Sequence, residues 1–334
     1  MSKQQAWMHP MSHACRGVSP IDVFLTLVVG YAAAILFFLA RKLKAGSRRV
    51  VLILLGIIVL GSAVLLRTDI QAIRCVVALL LVIYLLHMWD LHLDPCRDSR
   101  LRLKDYMVSL LDYAWSVARI PDGYGLDLSA RQRALDAARC VVGLGLASAV
   151  TVGVFRIDWS AHSFLLEHSA KSTSLGAWTA WAFHANTAIW RLAGAPAALF
   201  TDRSVLWAYS PADFWRRWNR PMQRWLLENV YRPSGGRGNP RVAMLVAFAV
   251  SGLFHEYLFA VTFRRVTGCV MAFFLLHGLA AMVTRRFKPA GWLVLPAIVA
   301  TFAFNSISTV LLFIPINERV SFYVNDVPRW ANPW

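Results

Sequence analysis

Two ionisable residues in this chain sit where such groups are costly. His255 and Glu256 fall within Val250-Ser-Gly-Leu-Phe-His-Glu-Tyr-Leu258, part of an apolar stretch long enough to cross a bilayer. Ionisable side chains at that depth face a bundle interior or a water-filled cavity. Loss of water favours the uncharged imidazole, which accepts a proton and so can serve as a general base. Ser251 lies one helical turn before His255 on the same face and is placed to orient the ring, with Glu256 as a further supporting group. The competing reading is a structural histidine bonded to a neighbouring helix.

The second segment with chemical content is Ser210-Pro-Ala-Asp-Phe-Trp-Arg-Arg-Trp-Asn-Arg-Pro-Met-Gln-Arg-Trp-Leu-Leu-Glu-Asn-Val-Tyr231. Ser210 suits an N-cap, Pro211 the first helical position, and Asp213 completes a spacing like that of a capping box. At about 100° per residue, Phe214, Trp215, Trp218, Met222, Trp225 and Leu226 share one arc. Arg216, Arg217, Arg220, Gln223 and Arg224 share the other. This pattern predicts an amphipathic helix in the membrane interface, aromatics towards lipid or protein and arginines towards water. Pro221 is expected to kink or interrupt it, since proline removes a backbone donor. Asn219 stands at the border of the two arcs, where an amide can reach into a cavity.

Other chemistries lack their signatures. No second histidine completes an HExxH around His255-Glu256, no GxSxG elbow occurs, and the glycines at 235–238 are not followed by GK[ST]. His184, Arg191, His277 and Asn305 also fall in apolar stretches and read as hydrogen-bonding residues between helices. The five cysteines (Cys15, Cys75, Cys96, Cys140 and Cys269) form no CxxC and give neither a disulfide framework nor a zinc site. The sequence therefore implies no metal and no cofactor.

The elements that must hold these residues are membrane helices. Of 334 residues, 57% are apolar and 16% charged, against about 45–50% and about 25% in soluble domains. Spans of about 20 residues are expected at 21–40, 50–66, 72–89, 135–155, 176–199, 241–263, 267–284 and 291–314. The stretch 105–120 is too mixed to assign and reads as re-entrant or interfacial. Residues 1–20 have no apolar core of a signal peptide, so the first span is expected to remain in the protein. The fold class is thus all-α, a polytopic integral membrane protein of about eight helices plus the interfacial one. No repeat or linker divides it, so 1–334 reads as a single membrane domain; the segment 233–240 is flexible punctuation.

The net charge of +17 would suggest nucleic acid on a soluble domain, but no matching motif occurs and the positive charges lie between spans. The loops 41–49, 90–139, 200–241 and 285–290 hold 24 of the Lys and Arg residues, and the termini with the opposite loops hold 10. The positive-inside rule puts the first set, with the arginines of 216–224, in the cytoplasm. The arginine cluster (Arg216, Arg217, Arg220, Arg224, Arg232 and Arg237) then faces a compartment of polyanionic metabolites, and guanidinium forks match phosphate oxygens.

Asp213-Phe-Trp-Arg-Arg-Trp-Asn219, Tyr231-Arg-Pro233 and Ser251-Gly-Leu-Phe-His-Glu-Tyr257 together resemble the membrane-bound O-acyltransferase (MBOAT) superfamily, with the wax synthases as the nearest branch. Related patterns occur in diacylglycerol and sterol acyltransferases. The strong resemblance covers about 50 residues within a motif core at 200–285. The length resembles the shorter wax-synthase-like members, without the long N-terminal extension of the other two branches, and no HHxxxDG motif of the soluble-type bacterial enzymes is present. The resemblance implies an MBOAT-like helical bundle in which an acyl group passes from acyl-CoA to an alcohol, giving a wax ester or another neutral lipid. It maps the essential histidine onto His255 and the upstream polar residue onto Asn219. It assigns acyl-CoA binding to 213–219, hence Asp213, Phe214, Trp215, Arg216, Arg217 and Trp218.

On that reading acyl-CoA is a co-substrate, and the expected partners are a lipophilic alcohol and membrane lipids. Diacylglycerol, sterol-like alcohols and secondary metabolites are alternative acceptors. A transporter and an inactive scaffold are the readings from other classes. A multi-pass protein of this kind is expected in the cytoplasmic membrane of a bacterium or the endoplasmic reticulum of a eukaryote.

Overall fold

The computed structural model describes residues 19–93, 102–111, 129–193 and 205–329. Cys15, Cys96, residues 112–120 of the unassigned stretch and 194–199 of the fifth expected span lie outside the described residues. Among the described residues all regular structure is helical. The chain forms two compact units, Met1–Pro95 and Cys96–Trp334.

The first unit contains α1 (Pro20–Ala40), α2 (Ala45–Gly61) and α3 (Gln71–Leu93), each packed on the other two. Ser19 caps α1 by accepting from the Asp22 N–H at 3.4 Å, and Pro20 follows in the first turn, where its missing donor does no harm. Two buried arginines tie the helix ends of this unit. Arg48 donates to the carbonyls of Arg41, Leu43 and His92 at 3.2, 3.2 and 2.9 Å. Arg74 donates to those of Leu66 and Thr68 at 3.0 and 3.3 Å. Carbonyls at and beyond helix C-termini lack intrahelical partners, and a guanidinium with five donors can serve several at once.

The second unit runs from α4 (Leu103–Ser109) through α5 (Ala130–Phe155), α6 (Phe164–Leu192), α7 (Pro211–Arg217), α8 (Arg220–Leu226), α9 (Pro240–Phe263), α10 (Cys269–Thr284), α11 (Val294–Ser308) and α12 (Val310–Val320). The α5–α6 pair is tied by Trp178 Nε1 to Thr151 Oγ1 at 2.8 Å and Trp181 Nε1 to the Cys140 carbonyl at 2.9 Å. Arg191 pairs with Asp136 across the same two helices at 3.1 Å, the interhelical role its position suggested. His184, by contrast, is exposed, with no hydrogen-bond partner among the described residues.

Among the described residues, six helical stretches are long and apolar enough to cross a membrane: α1, the run from Ala45 to Leu65 that contains α2, α3, α5, α9 and the run from Gly291 to Val320 that contains α11 and α12. The chain is an integral, multi-pass membrane protein. Two of the eight expected spans differ from these. The seventh, α10, is apolar but has 16 residues. The fifth is part of α6, a 29-residue helix that starts at Phe164, well before the expected 176. Ser163 caps it by accepting from the Leu166 N–H, and the early turns carry Glu167, His168 and Lys171. That polar first half was read as a loop because its charges, which are fully buried, hide the helical period.

Candidate active site

The segment from 210 is not one kinked helix. Ser210 accepts from the Asp213 N–H at 3.1 Å and starts α7, which ends at Arg217. Asn219 then adopts φ 43° and ψ 62°, the left-handed region that asparagine tolerates better than most residues. Its Oδ1 accepts from the Met222 N–H at 3.3 Å, so Asn219 is the N-cap of α8, and Pro221 occupies the first turn of that new helix. The break therefore comes from Asn219, and Pro221 fits the restart instead of kinking a continuous helix. A π-helical turn, Leu227–Tyr231, follows α8.

The aromatic arc of α7 packs against protein. Trp215 meets Phe248 of α9 edge-on, at 5.4 Å between centroids, and Phe274 of α10 at 5.8 Å. Phe214 stacks on Trp218 at 5.7 Å. Two glycines allow α9 and α10 to approach closely enough to receive these rings. A Cβ on Gly252 would lie 2.8 Å from Met271 Sδ, and one on Gly278 would lie 2.9 Å from Phe248 Cβ.

These elements enclose a cavity of about 360 Å³. Trp215, Trp218 and Asn219 line it from α7–α8, Ser251 and His255 from α9, and Phe274 from α10. His255 stacks obliquely on Phe274 at 4.4 Å. Its Nδ1 lies 2.8 Å from the main-chain oxygen of Ser251. A carbonyl only accepts, so Nδ1 carries the proton of the neutral ring and Nε2 carries the lone pair. Ser251 thus orients the ring through its backbone and not through its hydroxyl. Asn219 is fixed by a similar argument: its oxygen is engaged in the cap, and its NH2 has no partner among the described residues.

The remaining candidates divide sharply. Arg216 lines the cavity, donating to the carbonyls of Ala212 at 3.2 Å and Arg285 at 3.4 Å. Arg285 lines it too, a residue that sequence reasoning counted in a basic loop but did not assign to the site. Asp213 and Arg217 form an ion pair at 2.6 Å outside the cavity lining, and Asp213 also accepts from the Tyr209 N–H at 3.4 Å. Phe214, Arg220, Arg224, Arg232 and Arg237 are likewise not in the lining, and the last three are exposed. Glu256 belongs to architecture. Its carboxylate accepts from the N–H groups of Thr267, Gly268 and Met271 at 2.8, 2.8 and 3.0 Å, satisfying the orphan donors at the start of α10.

Comparison with known proteins places the chain in a family. The model of the membrane-bound O-acyltransferase family, MBOAT, matches residues 102–314. Diacylglycerol O-acyltransferase 1A of Glycine max is 48% identical over 50 residues, 15% of this chain and 10% of that protein. Diacylglycerol O-acyltransferase 1 of Arabidopsis thaliana is 40% identical over 58 residues, 17% and 11% of the two chains. The protein of that name from Chlorocebus aethiops is 40% identical over 52 residues, 15% and 11%. The aligned segments span about a tenth of the length of these relatives. The family match extends over well over half of the chain and contains the whole cavity, so the chain belongs to the membrane-bound O-acyltransferase family.

Proposed function

We propose that the protein transfers an acyl group from acyl-CoA to the hydroxyl of a lipophilic alcohol, with His255 as general base and Asn219 as carbonyl-polarising donor. The observation that carries this reading is the orientation of two side chains at one cavity. His255 has Nδ1 held by the Ser251 carbonyl, which leaves Nε2 as a proton acceptor, and Asn219 has its oxygen held in a helix cap, which leaves an NH2 donor.

The chemistry follows from those two atoms. The alcohol proton moves to His255 Nε2 as the oxygen attacks the thioester carbon. The carbonyl oxygen gains negative charge, and the Asn219 NH2 donates to it. Collapse of the tetrahedral intermediate breaks the carbon–sulfur bond, and Nε2–H returns the proton to the leaving thiolate. The products are an ester and free coenzyme A. A thioester is already activated, so no acyl-enzyme is required. Arg216 and Arg285, both at the cavity, suit the phosphates of coenzyme A.

The proposed acceptor is a long-chain alcohol, giving a wax ester. Diacylglycerol is the second reading, favoured by the names of the matched relatives. Membranes carrying the full chain, supplied with labelled acyl-CoA and either fatty alcohols or diacylglycerol, distinguish the two by the ester formed. The His255→Ala variant is expected to lose about 10²–10⁴-fold in rate, the usual worth of a general base. No ester from the unmodified chain with any acceptor would overturn the function, and equal rates from both forms would remove His255 from it.

A further inference from the structure

A fully buried histidine, His277, lies behind the cavity wall. Trp215 Nε1 donates to His277 Nδ1 at 3.0 Å. His277 Nε2 lies 2.7 Å from Ser308 Oγ, and Ser308 Oγ donates to the Asn305 carbonyl at 3.1 Å. The direction of every bond is determined. An indole N–H only donates, so Nδ1 accepts; a neutral ring then carries its proton on Nε2 and gives it to Ser308; Ser308 passes its own to a carbonyl. The chain runs one way, from α7 through α10 to α11. His277 is 1% exposed and is not in the cavity lining.

This arrangement excludes His277 as a second base, because both of its nitrogens are engaged, whereas His255 keeps one open. It instead fixes one ring. Trp215 lines the cavity, lies 5.8 Å from Phe274, and Phe274 in turn carries the His255 ring at 4.4 Å. His277 also meets the Trp215 ring edge-on at 5.4 Å. We infer that His277 is a positioning residue: by accepting from the Trp215 indole it holds that ring as the wall against which the acyl-CoA thioester end is bound. The inference rests on the acyltransferase reading above.

Two variants separate the contacts of His277. In His277→Asn the amide oxygen falls near the place of Nδ1 and still accepts from Trp215. In His277→Gln the longer amide reaches the place of Nε2 and keeps Ser308, while the indole loses its acceptor. Both are measured as full chains in membranes, with thermal melts to confirm folding, by steady-state kinetics and by the Kd of a non-hydrolysable acyl-CoA thioether. The expected result for His277→Gln is a rise of about five- to tenfold in KM and Kd, the worth of one hydrogen bond, with kcat within about twofold. His277→Asn is expected near the unmodified values. Trp215→Phe is expected to resemble His277→Gln, and the double variant to be no worse than Trp215→Phe alone.

Equal effects of Asn and Gln, a loss confined to kcat, or additive losses in the double variant would overturn the assignment. Normal ester formation with variants that bind and turn over normally would sink the His277 proposal while leaving the acyltransferase reading intact. Failure of the unmodified chain to bind the thioether or form ester would remove both.

Discussion

Two polar regions of the second unit obey opposite rules. At the first turns of α6, both carboxylate oxygens of Glu167 and both ring nitrogens of His168 are engaged. Glu167 accepts from Lys171 Nζ at 2.5 Å, from the N–H groups of Val324 and Asn325 at 2.7 and 3.0 Å, and from Asn325 Nδ2 at 2.7 Å. Beside it, His168 Nδ1 meets the Tyr323 hydroxyl at 2.6 Å and Nε2 the Ser306 carbonyl at 2.7 Å. At the cavity, His255 and Asn219 each use one polar atom to fix their geometry and leave the other open. Both regions hold an imidazole with one ring nitrogen against a main-chain carbonyl. What separates the two is the unfilled valence, and on the proposed mechanism it is this open nitrogen that lets His255 act as a base.

The closed region should break first as structure. Glu167→Ala leaves the Lys171 ammonium, 4% exposed at its side chain, with the Phe322 carbonyl at 2.6 Å as its hydrogen-bond acceptor among the described residues, beside the Phe155 and Phe322 rings at 5.3 and 5.4 Å. Removing one partner of a buried pair costs roughly 3–5 kcal/mol. The expected outcome is a lower melting temperature and less folded protein, with activity per folded molecule close to normal. A specific loss of turnover in fully folded protein would erase the contrast between the two regions. Acid should act in the same direction. Burial alone would raise the Glu167 carboxyl, but hydrogen bonds from Lys171, Val324 and Asn325 outweigh it and hold it below the usual range. Its contribution is therefore complete above the unfolded value of about 4.3 and disappears as pH falls through the depressed folded one. Glu167→Gln should flatten that acid limb of the melting curve.

Sequence patterns made the cavity more legible than the clamp, for a physical reason. His255 and Asn219 sit in motifs whose residue types are unusual for their surroundings, an imidazole in an apolar span and an amide between aromatic and basic arcs. Apart from Lys171, the partners of Glu167 are Val324 and Asn325, more than 150 positions away, and main-chain donors leave no trace in a sequence. The same blindness explains Ser251, which was expected to orient the ring and meets it through its main-chain carbonyl, and Glu256, whose carboxylate caps α10. Arc membership likewise could not tell Arg216, at the cavity, from Arg217, paired with Asp213 on its own helix. Asn219 preceding Pro221 did carry a readable helix-start signal, masked by the amphipathic period that continues across the break.

The open region should break as chemistry. Asn219→Asp preserves an oxygen acceptor for the Met222 N–H and tolerates φ 43°, and its negative charge at a helix start is favourable. What it removes is the NH2 donor. Losing a donor to a developing oxyanion costs about 10²–10³ in rate, so kcat should fall by that factor while the melting temperature stays near normal. A variant that retains turnover would show that Asn219 serves only as a cap, and the comparison would then rest on His255 alone.

The smallest effect expected tests whether the two regions are mechanically separate. Gly278 faces Phe248, a cavity residue, and a Cβ at Gly278 would stand 2.9 Å from Phe248 Cβ and 3.0 Å from its Cγ. Neither atom is the far end of a flexible side chain, so Gly278→Ala must displace α9 from α10 or turn the Phe248 ring into the cavity. Overpacking of this kind costs about 1–3 kcal/mol, less than opening the Glu167 pair. Its signature should be narrower, because Phe248 also meets Trp215 at 5.4 Å. A cavity of about 360 Å³ leaves little slack for an intruding ring. KM should therefore rise more for bulky acceptors than for small ones, and the acid limb governed by Glu167 should stay where it is. If Gly278→Ala instead moves the acid limb and leaves acceptor preference unchanged, strain passes from the α9–α10 contact to α6, and the clamp and the cavity behave as one mechanical body.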